Sequence, residues 1–545
     1  MKIAIAQQNY HIGNFEYNTE KIIQAVRQAK SENVDIICFG ELATCGYPSG
    51  DFLEFEDFIK KSDQAISRIS LESNGIAIAV GAPAKNLMAE GKDLFNAAYF
   101  IANQEILAVQ HKALLPTYDI FDEYRYFEPA KHFQTITYKD VKIALTVCED
   151  LWNLGNNNPL YTICPLDEVM HEHPDFIINL SASPFSANHS KERLHVLKSN
   201  VNRYKIPLFY VNHVGAQTEI IFDGGSAVLS PDGNVYEEMP YFEEKICCFN
   251  LTEVKKGGKV NEQPKDKIGD VYHALILGLK DYFHKLNLKK AVIGISGGID
   301  SALTAAIAAN ALGPENVHGL LMPSPFSSDH SVTDGIELCD NLKISYDIIP
   351  IENIYNQVND SLKPVFSNLP FDITEENIQA RIRGLINMAY ANKFGHILLN
   401  TSNKSELAVG YGTLYGDMCG GISVIGDVYK TEVYELAKWI NRSEIKIPLN
   451  TINKAPSAEL RPDQKDSDSL PDYTILDKIL FQYIEGKKGP SEIIEMGFDA
   501  ELVKKILKLV NVNEFKRHQS APILRVSSKS FGPGRRMPIV AKYLN

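Results

Sequence analysis

Ala291-Val292-Ile293-Gly294-Ile295-Ser296-Gly297-Gly298-Ile299-Asp300-Ser301 reads as strand, glycine-rich loop and helix in immediate succession. Paired glycines let a backbone fold close to a ligand. The loop N–H groups and the helix N-terminus then face outward, where phosphate is well received. No lysine follows, so this is not the GxxxxGK[ST] loop of P-loop enzymes. Around the loop, β-branched runs at Ala291–Ile295, Val317–Met322, Ile344–Ile351 and Ile397–Asn400 alternate with helical stretches such as Ala302–Leu312. Strands separated by helices predict a parallel sheet with right-handed crossovers.

Upstream the same α/β alternation occurs in a separate series. Its runs are Ile3–Ala6, Asp35–Phe39, Ile76–Val80, Ala97–Ile101, Lys142–Val147, Phe176–Leu180 and Leu208–Val211, with an amphipathic helix over Tyr17–Ser31. A layered α/β domain follows. Gly224–Val235 reads as a hairpin turning at Pro231-Asp232-Gly233. Between the series, Val254–Lys267 is polar, rich in Gly and Lys, and predicts a linker. The expected domains are thus 1–253 and 268–545, joined by 254–267. Asp463–Leu470, also polar, reads as a mobile loop.

Composition narrows the function classes. The 545 residues are 44% hydrophobic and 23% charged, as expected of a globular chain. Length alone allows about three or four domains. A net charge of −13 argues against a nucleic-acid or anionic-membrane surface, which requires a basic face. No run reaches the roughly 18 apolar residues needed to span a bilayer. The eight cysteines lack any CxxC spacing, so zinc and disulfide frameworks are not expected, and a reducing cytoplasm is.

Three residues of the first half carry chemistry. Cys148 follows a buried-looking strand, Glu41 ends another, and Lys112 precedes Phe121-Asp122-Glu123-Tyr124-Arg125-Tyr126-Phe127. Singly they would be a small core residue, a solvated glutamate and a surface lysine. Together, in this order, they resemble the nitrilase (carbon–nitrogen hydrolase) superfamily over nearly all of residues 1–250. The glutaminase branch is nearest, through Cys45-Gly46-Tyr47-Pro48 and the Phe121–Phe127 string. The resemblance implies an αββα sandwich. It implies Cys148 as nucleophile, Glu41 as general base and acid, and Lys112 as oxyanion stabiliser, the roles amide cleavage by a thiol requires. It further implies that Glu123 holds Lys112 and the substrate amide, that Tyr47 and Phe121 wall a glutamine pocket, and that Ser183 helps hold the α-carboxylate. A basic residue usually follows that serine closely. Here the first expected candidate is Lys191, with Arg193 as the alternative. Gly40 stands where proline is more usual, with no expected effect on the chemistry.

The Ser296–Ser301 string is similar to the loop of the ATP pyrophosphatases. Leu321–Ser328, Asn400–Glu406, Gly410–Asp417, Gly426–Val433 and the terminal Ser530–Ile539 narrow the likeness to the synthetase domain of NAD synthetases, over about residues 268–545. The implied fold is an adenine-nucleotide α-hydrolase-like domain with a five-stranded parallel sheet. The resemblance implies that Gly294, Ser296, Gly297, Gly298, Ser301, Thr401, Lys430 and Ser457 contact ATP, and that Arg381 and Asp417 contact deamido-NAD+. Asp300 and Glu406 are the expected Mg2+ ligands, since magnesium takes one or two carboxylates plus substrate phosphates. Glu406 has a second reading as part of an Asn403-x-x-Glu406 capping box. Arg381 and Arg383 lie two apart on a helix and cannot share a face; Arg381 is the expected substrate contact.

An ammonia-releasing amidase fused to an adenylating enzyme has one joint purpose, because ammonia is mostly protonated near neutral pH and fusion keeps it local. The two likenesses imply the glutamine-dependent NAD synthetases, with ATP, deamido-NAD+ and L-glutamine as substrates and a homo-oligomer formed through the synthetase halves. An amide hydrolase with a regulatory nucleotide-binding domain is the alternative. A different ATP pyrophosphatase, or a scaffold with dead sites, fits the strings less well.

Overall fold

β1 (Lys2–Gln7) is apolar on both faces between its ends, so both faces must be covered. Ile3 and Ile5 point into one buried cluster, whereas Ala4 and Ala6 point into another. This alternation recurs through the first half and generates a four-layer arrangement. The computed structural model describes residues 1–545 apart from 89, 157–159, 368, 458, 463, 465, 469, 544 and 545. The chain divides into two units, Met1–Lys265 and Asp266–Asn545.

Among the described residues of the first unit, one six-stranded sheet has the order β14 (Lys245–Asn250), β1, β2 (Ile36–Cys38), β3 (Ala77–Lys85), β4 (Leu94–Ala102), β5 (Glu105–His111). A second has the order β13 (Val235–Glu238), β12 (Ala227–Leu229), β9 (Leu208–Val211), β8 (Phe176–Leu180), β7 (Val141–Val147), β6 (Ile136–Tyr138). β1–β2–β3 and β7–β8–β9 run parallel. The inner faces share one core, in which Ile5, Cys38, Ala79 and Phe100 meet Leu145, Ile178, Phe209 and Val211. The outer face of the first sheet packs on helix Phe15–Ser31 and part of helix Glu56–Leu71. The outer face of the second packs on helices Pro165–Met170 and His189–Tyr204. The layers are therefore αββα.

Asn14 caps the first helix, its Oδ1 accepting the Tyr17 N–H at 3.3 Å. The expected hairpin is present as β12–β13, with a short two-stranded ribbon, β10 (Val214–Gln217) and β11 (Ile220–Asp223), before it. The segment expected as a linker carries structure. Leu251–Lys256 is helical, and Asn261 pairs with β13 through Asn261 N–H to Val235 O (3.1 Å) and Glu238 N–H to Asn261 O (2.8 Å). Lys265 ends the segment on the buried Glu238 carboxylate at 2.6 Å. Polar residues without apolar pattern were anchored here by backbone and carboxylate partners.

Among its described residues, the second unit holds a five-stranded, all-parallel sheet ordered β17 (Ser345–Ile348), β16 (Val317–Leu321), β15 (Ala291–Gly294), β18 (Ile397–Asn400), β19 (Ile422–Ser423). Helices Glu352–Phe366 and Ile373–Phe394 cover one face through Tyr355, Ile378 and Ile382 against Val292 and Leu320. Helix Ile299–Leu312 is buried along most of its length, as Ala302–Ala309 must be in a chain lacking polar side chains there apart from Thr304. The chain leaves β15 toward β16 and returns to its other side as β18. That reversal opens a crevice at the strand C-termini. Among the described residues no helix is long and apolar enough to cross a membrane.

Arg193 and Asp223 form a buried bidentate pair between helix His189–Tyr204 and β11, at 2.9 and 2.8 Å. Asp223→Ala leaves that guanidinium uncompensated, and the unfolding free energy of the first unit should fall by about 3–5 kcal/mol. Urea unfolding measures it; an unchanged midpoint would show that the pair holds nothing together.

Candidate functional site

In the first unit, Glu41, Lys112 and Cys148 all lie at or just past strand ends: three residues beyond β2, directly after β5 and directly after β7. Each is buried. Lys112 Nζ donates to Glu41 Oε1 at 2.7 Å and to Glu123 Oε1 at 2.8 Å. Asn96 Nδ2 donates to Glu41 Oε1 (2.7 Å), and the Ala182 N–H donates to Glu41 Oε2 (3.0 Å). Tyr47 OH donates to Glu123 Oε1 at 2.8 Å. Burial opposes the Lys112 charge, yet the Glu123 and Glu41 carboxylates hold its pKa well above the usual lysine value. Burial, and then Glu41, push the Glu123 carboxyl up against the opposing pull of Lys112.

Cys148 opens a tight turn with φ +42°, a left-handed conformation that a side chain adopts only when its surroundings enforce it. The enforcement is visible. The buried Asp150 carboxylate accepts the N–H groups of Ala113 and Leu114, both at 3.0 Å, and of Val147, also at 3.0 Å. One carboxylate thereby ties the cysteine turn to the residues that follow Lys112. Asn179 Nδ2 supports the Cys148 carbonyl at 3.3 Å. Burial, with Glu41 adding and Lys112 opposing, raises the Cys148 thiol well above 9. The resting site thus holds a thiol, with a carboxylate and an ammonium beside it.

Phe121 packs in the cluster that contains Tyr47. Ser183 is buried, and its Oγ lies 2.9 Å from His189 Nε2, whose ring stacks on Trp152 at 5.3 Å. Lys191 is exposed. The reason is helical period: His189 and Arg193, four apart, share the buried face, and Lys191 between them faces solvent. Arg193 is already engaged by Asp223. Glu149 is a further buried carboxylate next to the cysteine, accepting from Tyr118 OH (3.0 Å) and Tyr161 OH (2.7 Å), and burial raises its pKa.

In the second unit, a cavity of about 290 Å³ opens at the C-terminal ends of β15, β16 and β18. Gly294, Ser296, Gly298, Asp300, Ser301, Thr401, Glu406, Asp417, Lys430 and Ser457 all line it. Gly297 shapes the loop from behind. Its φ is +77°, and a Cβ there would stand 2.2 Å from the Ser331 carbonyl oxygen. Ser301 Oγ closes the turn by donating to Gly298 O at 3.0 Å. Lys430 Nζ bridges the carboxylates of Asp300 and Glu406. Asn403 is the helix cap, its Oδ1 accepting the Glu406 N–H at 3.0 Å, while its Nδ2 donates to Asp300 Oδ1 at 2.9 Å. The Glu406 carboxylate itself goes to Lys430 rather than back to the cap. Burial raises its pKa, with Lys430 opposing and Asp300 and Asp466 adding.

Arg381 is exposed, its Nε donating to Leu414 O at 3.3 Å. Arg383, two residues on, lines the cavity and donates to Met322 O at 3.1 Å. Burial brings its guanidinium down to about 10, with Asp417 opposing. Asp417 is fixed by the Thr413 N–H at 2.6 Å. Of the expected loop Asp463–Leu470, residues 463, 465 and 469 lie outside the described residues. Asp466, within it, is buried at the cavity and accepts from Tyr473 OH (3.0 Å) and Tyr411 OH (3.3 Å).

Comparison with known proteins matches both halves of the chain. Residues 2–254 match the carbon-nitrogen hydrolase family, and residues 271–520 match the NAD synthase family. A glutamine-dependent NAD(+) synthetase of Synechocystis sp. is 45% identical over 550 residues, 99% of either chain. The chain belongs to the glutamine-dependent NAD(+) synthetases. The structure of such a synthetase from Acinetobacter baumannii, in complex with ADP, aligns with TM-score 0.78 at 36% identity, covering 99% of this chain and 98% of that one. Another from Cytophaga hutchinsonii, at 22% identity, shares the fold with TM-score 0.84 over 99% and 98% of the two chains.

Within this synthetase family member, sequence reading did not single out His189, Glu149, Asp150 or Asp466, and it preferred Arg381 to Arg383, which lines the cavity. A helical-wheel reading of His189-x-x-x-Arg193 could have found the first. The others depend on contacts far apart in the chain.

Because the thiol is held protonated, inactivation of the free protein by iodoacetamide at Cys148 should keep accelerating past pH 9, as the thiolate fraction grows. A rate already level below pH 7 would mean a resting thiolate and would contradict the burial argument. Mass spectrometry of the Cys148 peptide gives the rate.

Proposed function

We propose that residues 1–253 form a glutaminase and residues 268–545 an ATP-dependent synthetase that consumes its ammonia. The overall reaction is deamido-NAD+ + ATP + L-glutamine + H2O → NAD+ + AMP + diphosphate + L-glutamate. The observation that carries this reading is that one chain, aligned end to end with synthetases of that name, retains a buried Cys148–Glu41–Lys112 group and a glycine loop facing Asp300, Glu406 and Lys430.

At the first site, Glu41 takes the Cys148 proton as sulfur attacks the glutamine amide carbon. Lys112 steadies the oxyanion, and Glu123 keeps Lys112 aimed. Glu41 returns the proton to the departing ammonia, and water then clears the thioester. Tyr47 and Phe121 wall the side-chain pocket. Ser183 with His189, rather than Lys191, receives the α-carboxylate, and Glu149 receives the α-ammonium.

At the second site, the loop N–H groups of Gly294–Ser301 and Lys430 take ATP phosphates, with Thr401 and Ser457 alongside. The deamido-NAD+ carboxylate attacks the α-phosphorus and diphosphate leaves; ammonia then displaces AMP. Arg383 and Asp417 face the dinucleotide, and Arg383 takes the place expected of Arg381. Mg2+ suits the donor set: two hard carboxylates, Asp300 and Glu406, converge with more negative charge nearby than Lys430 alone balances. When bound, magnesium neutralises phosphate charge.

A homo-oligomer through the synthetase half is supported by the exposed apolar residues Phe371, Ile373, Leu385 and Phe394. A cytoplasmic location is supported by eight unpaired thiols.

Cys148→Ala should abolish NAD+ formation from glutamine and leave formation from ammonium salts intact. Asp300→Asn should stop AMP and diphosphate release with either nitrogen source. The assay measures AMP and NAD+ from deamido-NAD+, ATP and each source. Loss of both activities in Cys148→Ala would sink the two-site reading. Full-rate glutamine hydrolysis without AMP formation would favour an amide hydrolase with a regulatory nucleotide domain.

A further inference from the structure

Gly40 immediately precedes Glu41. A Cβ on it would stand 2.2 Å from Cδ2 and 2.6 Å from Nε2 of His213, and 3.0 Å from the Ser181 carbonyl oxygen. Side-chain atoms can sometimes swing away from such a clash, but this ring is confined. His213 is buried. Its centroid lies 4.8 Å from the Tyr10 ring on one side and 5.5 Å from the Phe222 ring on another. Its backbone is fixed too, its carbonyl accepting the Gly224 N–H at 2.9 Å while the next N–H, of Val214, donates to Gln8 O at 3.2 Å.

The backbone at position 40 is gripped from the other side. Its carbonyl accepts the Gly81 N–H at 3.2 Å, and the Glu41 N–H donates to Ser181 O at 3.4 Å. A Cβ on Gly81 would stand 2.5 Å from the Gly40 carbonyl oxygen. The segment that delivers Glu41 therefore has the His213 ring on one flank and closely packed backbone on the other. The ring contacts continue: Phe222 lies 6.3 Å from the Tyr47 ring, whose hydroxyl holds Glu123. Both carboxylates that grip Lys112 are thereby linked to the packing around one imidazole.

We propose that His213 is a positioning residue for glutamine hydrolysis, its ring filling the space a side chain at position 40 would take and setting the place of the Glu41 carboxylate. Gly40 and His213 act as a matched pair: the glycine exists because the ring is there. The inference rests on reading Cys148, Glu41 and Lys112 as the glutaminase site.

The pairing predicts reciprocal rescue. Gly40→Ala displaces Glu41, and misplacement on the scale of 1 Å costs on the order of 100-fold in turnover. The glutamine kcat should fall by about that factor, with KM for glutamine little changed and ammonia-driven synthesis untouched. Removing the ring in Gly40→Ala/His213→Ala should restore at least about tenfold of the loss, since contacting residues are not additive. His213→Ala alone leaves the main chain as it is and guards against misfolding of the first variant. It should lower the glutamine kcat by about tenfold and not raise KM, because it loosens the base rather than the substrate pocket.

Full glutamine turnover in Gly40→Ala would overturn the proposal, as would a double variant no better than Gly40→Ala, or a His213→Ala variant altered only in KM. Cys148→Ala is measured in parallel. If it still hydrolyses glutamine, the reading of the site has failed. If it is dead while Gly40→Ala is fully active, only the role of His213 has failed.

Discussion

A buried lysine ammonium clasped by two carboxylates is the interaction on which both sites depend. Lys112 sits between Glu41 and Glu123, and Lys430 between Asp300 and Glu406. Burying one charge is costly, and burying two like charges is worse, unless an opposite charge lies between them. The lysine therefore makes each carboxylate pair possible. The pair in turn keeps the lysine charged despite its burial. Remove the lysine and the carboxylates must separate or take up protons, and either change dismantles the site.

Such clusters need rigid delivery, and strand ends provide it. Glu41, Lys112 and Cys148 each follow a strand of the αββα sandwich. The Cys148 turn is held in its left-handed conformation by Asp150, whose carboxylate accepts three backbone N–H groups. In the synthetase unit the same economy appears at Asn403. Its amide caps one helix and orients Asp300 at once. The groups that fix these side chains come from turns and loops well away in the chain as well as from the strands.

The sandwich and the parallel sheet were both legible in advance, because strands buried on two faces leave continuous apolar runs. β5 was not recognised, although it leads directly to Lys112: it is half exposed, and Glu105-Ile106-Leu107-Ala108-Val109-Gln110-His111 lacks a clean alternation. The tight turns at Gly297 and the seam near residue 260 were readable from glycine and polarity. That the seam pairs with β13 was not, since its anchors, Val235 and Glu238, lie about two dozen residues upstream.

The sequence by itself determined which chemistry the chain can perform. A cysteine, a glutamate and a lysine at strand ends, and a Ser-Gly-Gly-Ile-Asp-Ser loop ahead of a helix, are local strings whose residue types the reactions require. Only the tertiary structure decided which side chains face each site. His189 rather than Lys191 beside Ser183, Arg383 rather than Arg381 at the cavity, Asp466 lining it, and the His213 ring against Gly40 are all choices of face or of distant contact. A helix turns 100° per residue, so a shift of two residues carries a side chain to the opposite side. Which side is buried is settled by packing partners remote in the chain, and no local string records them.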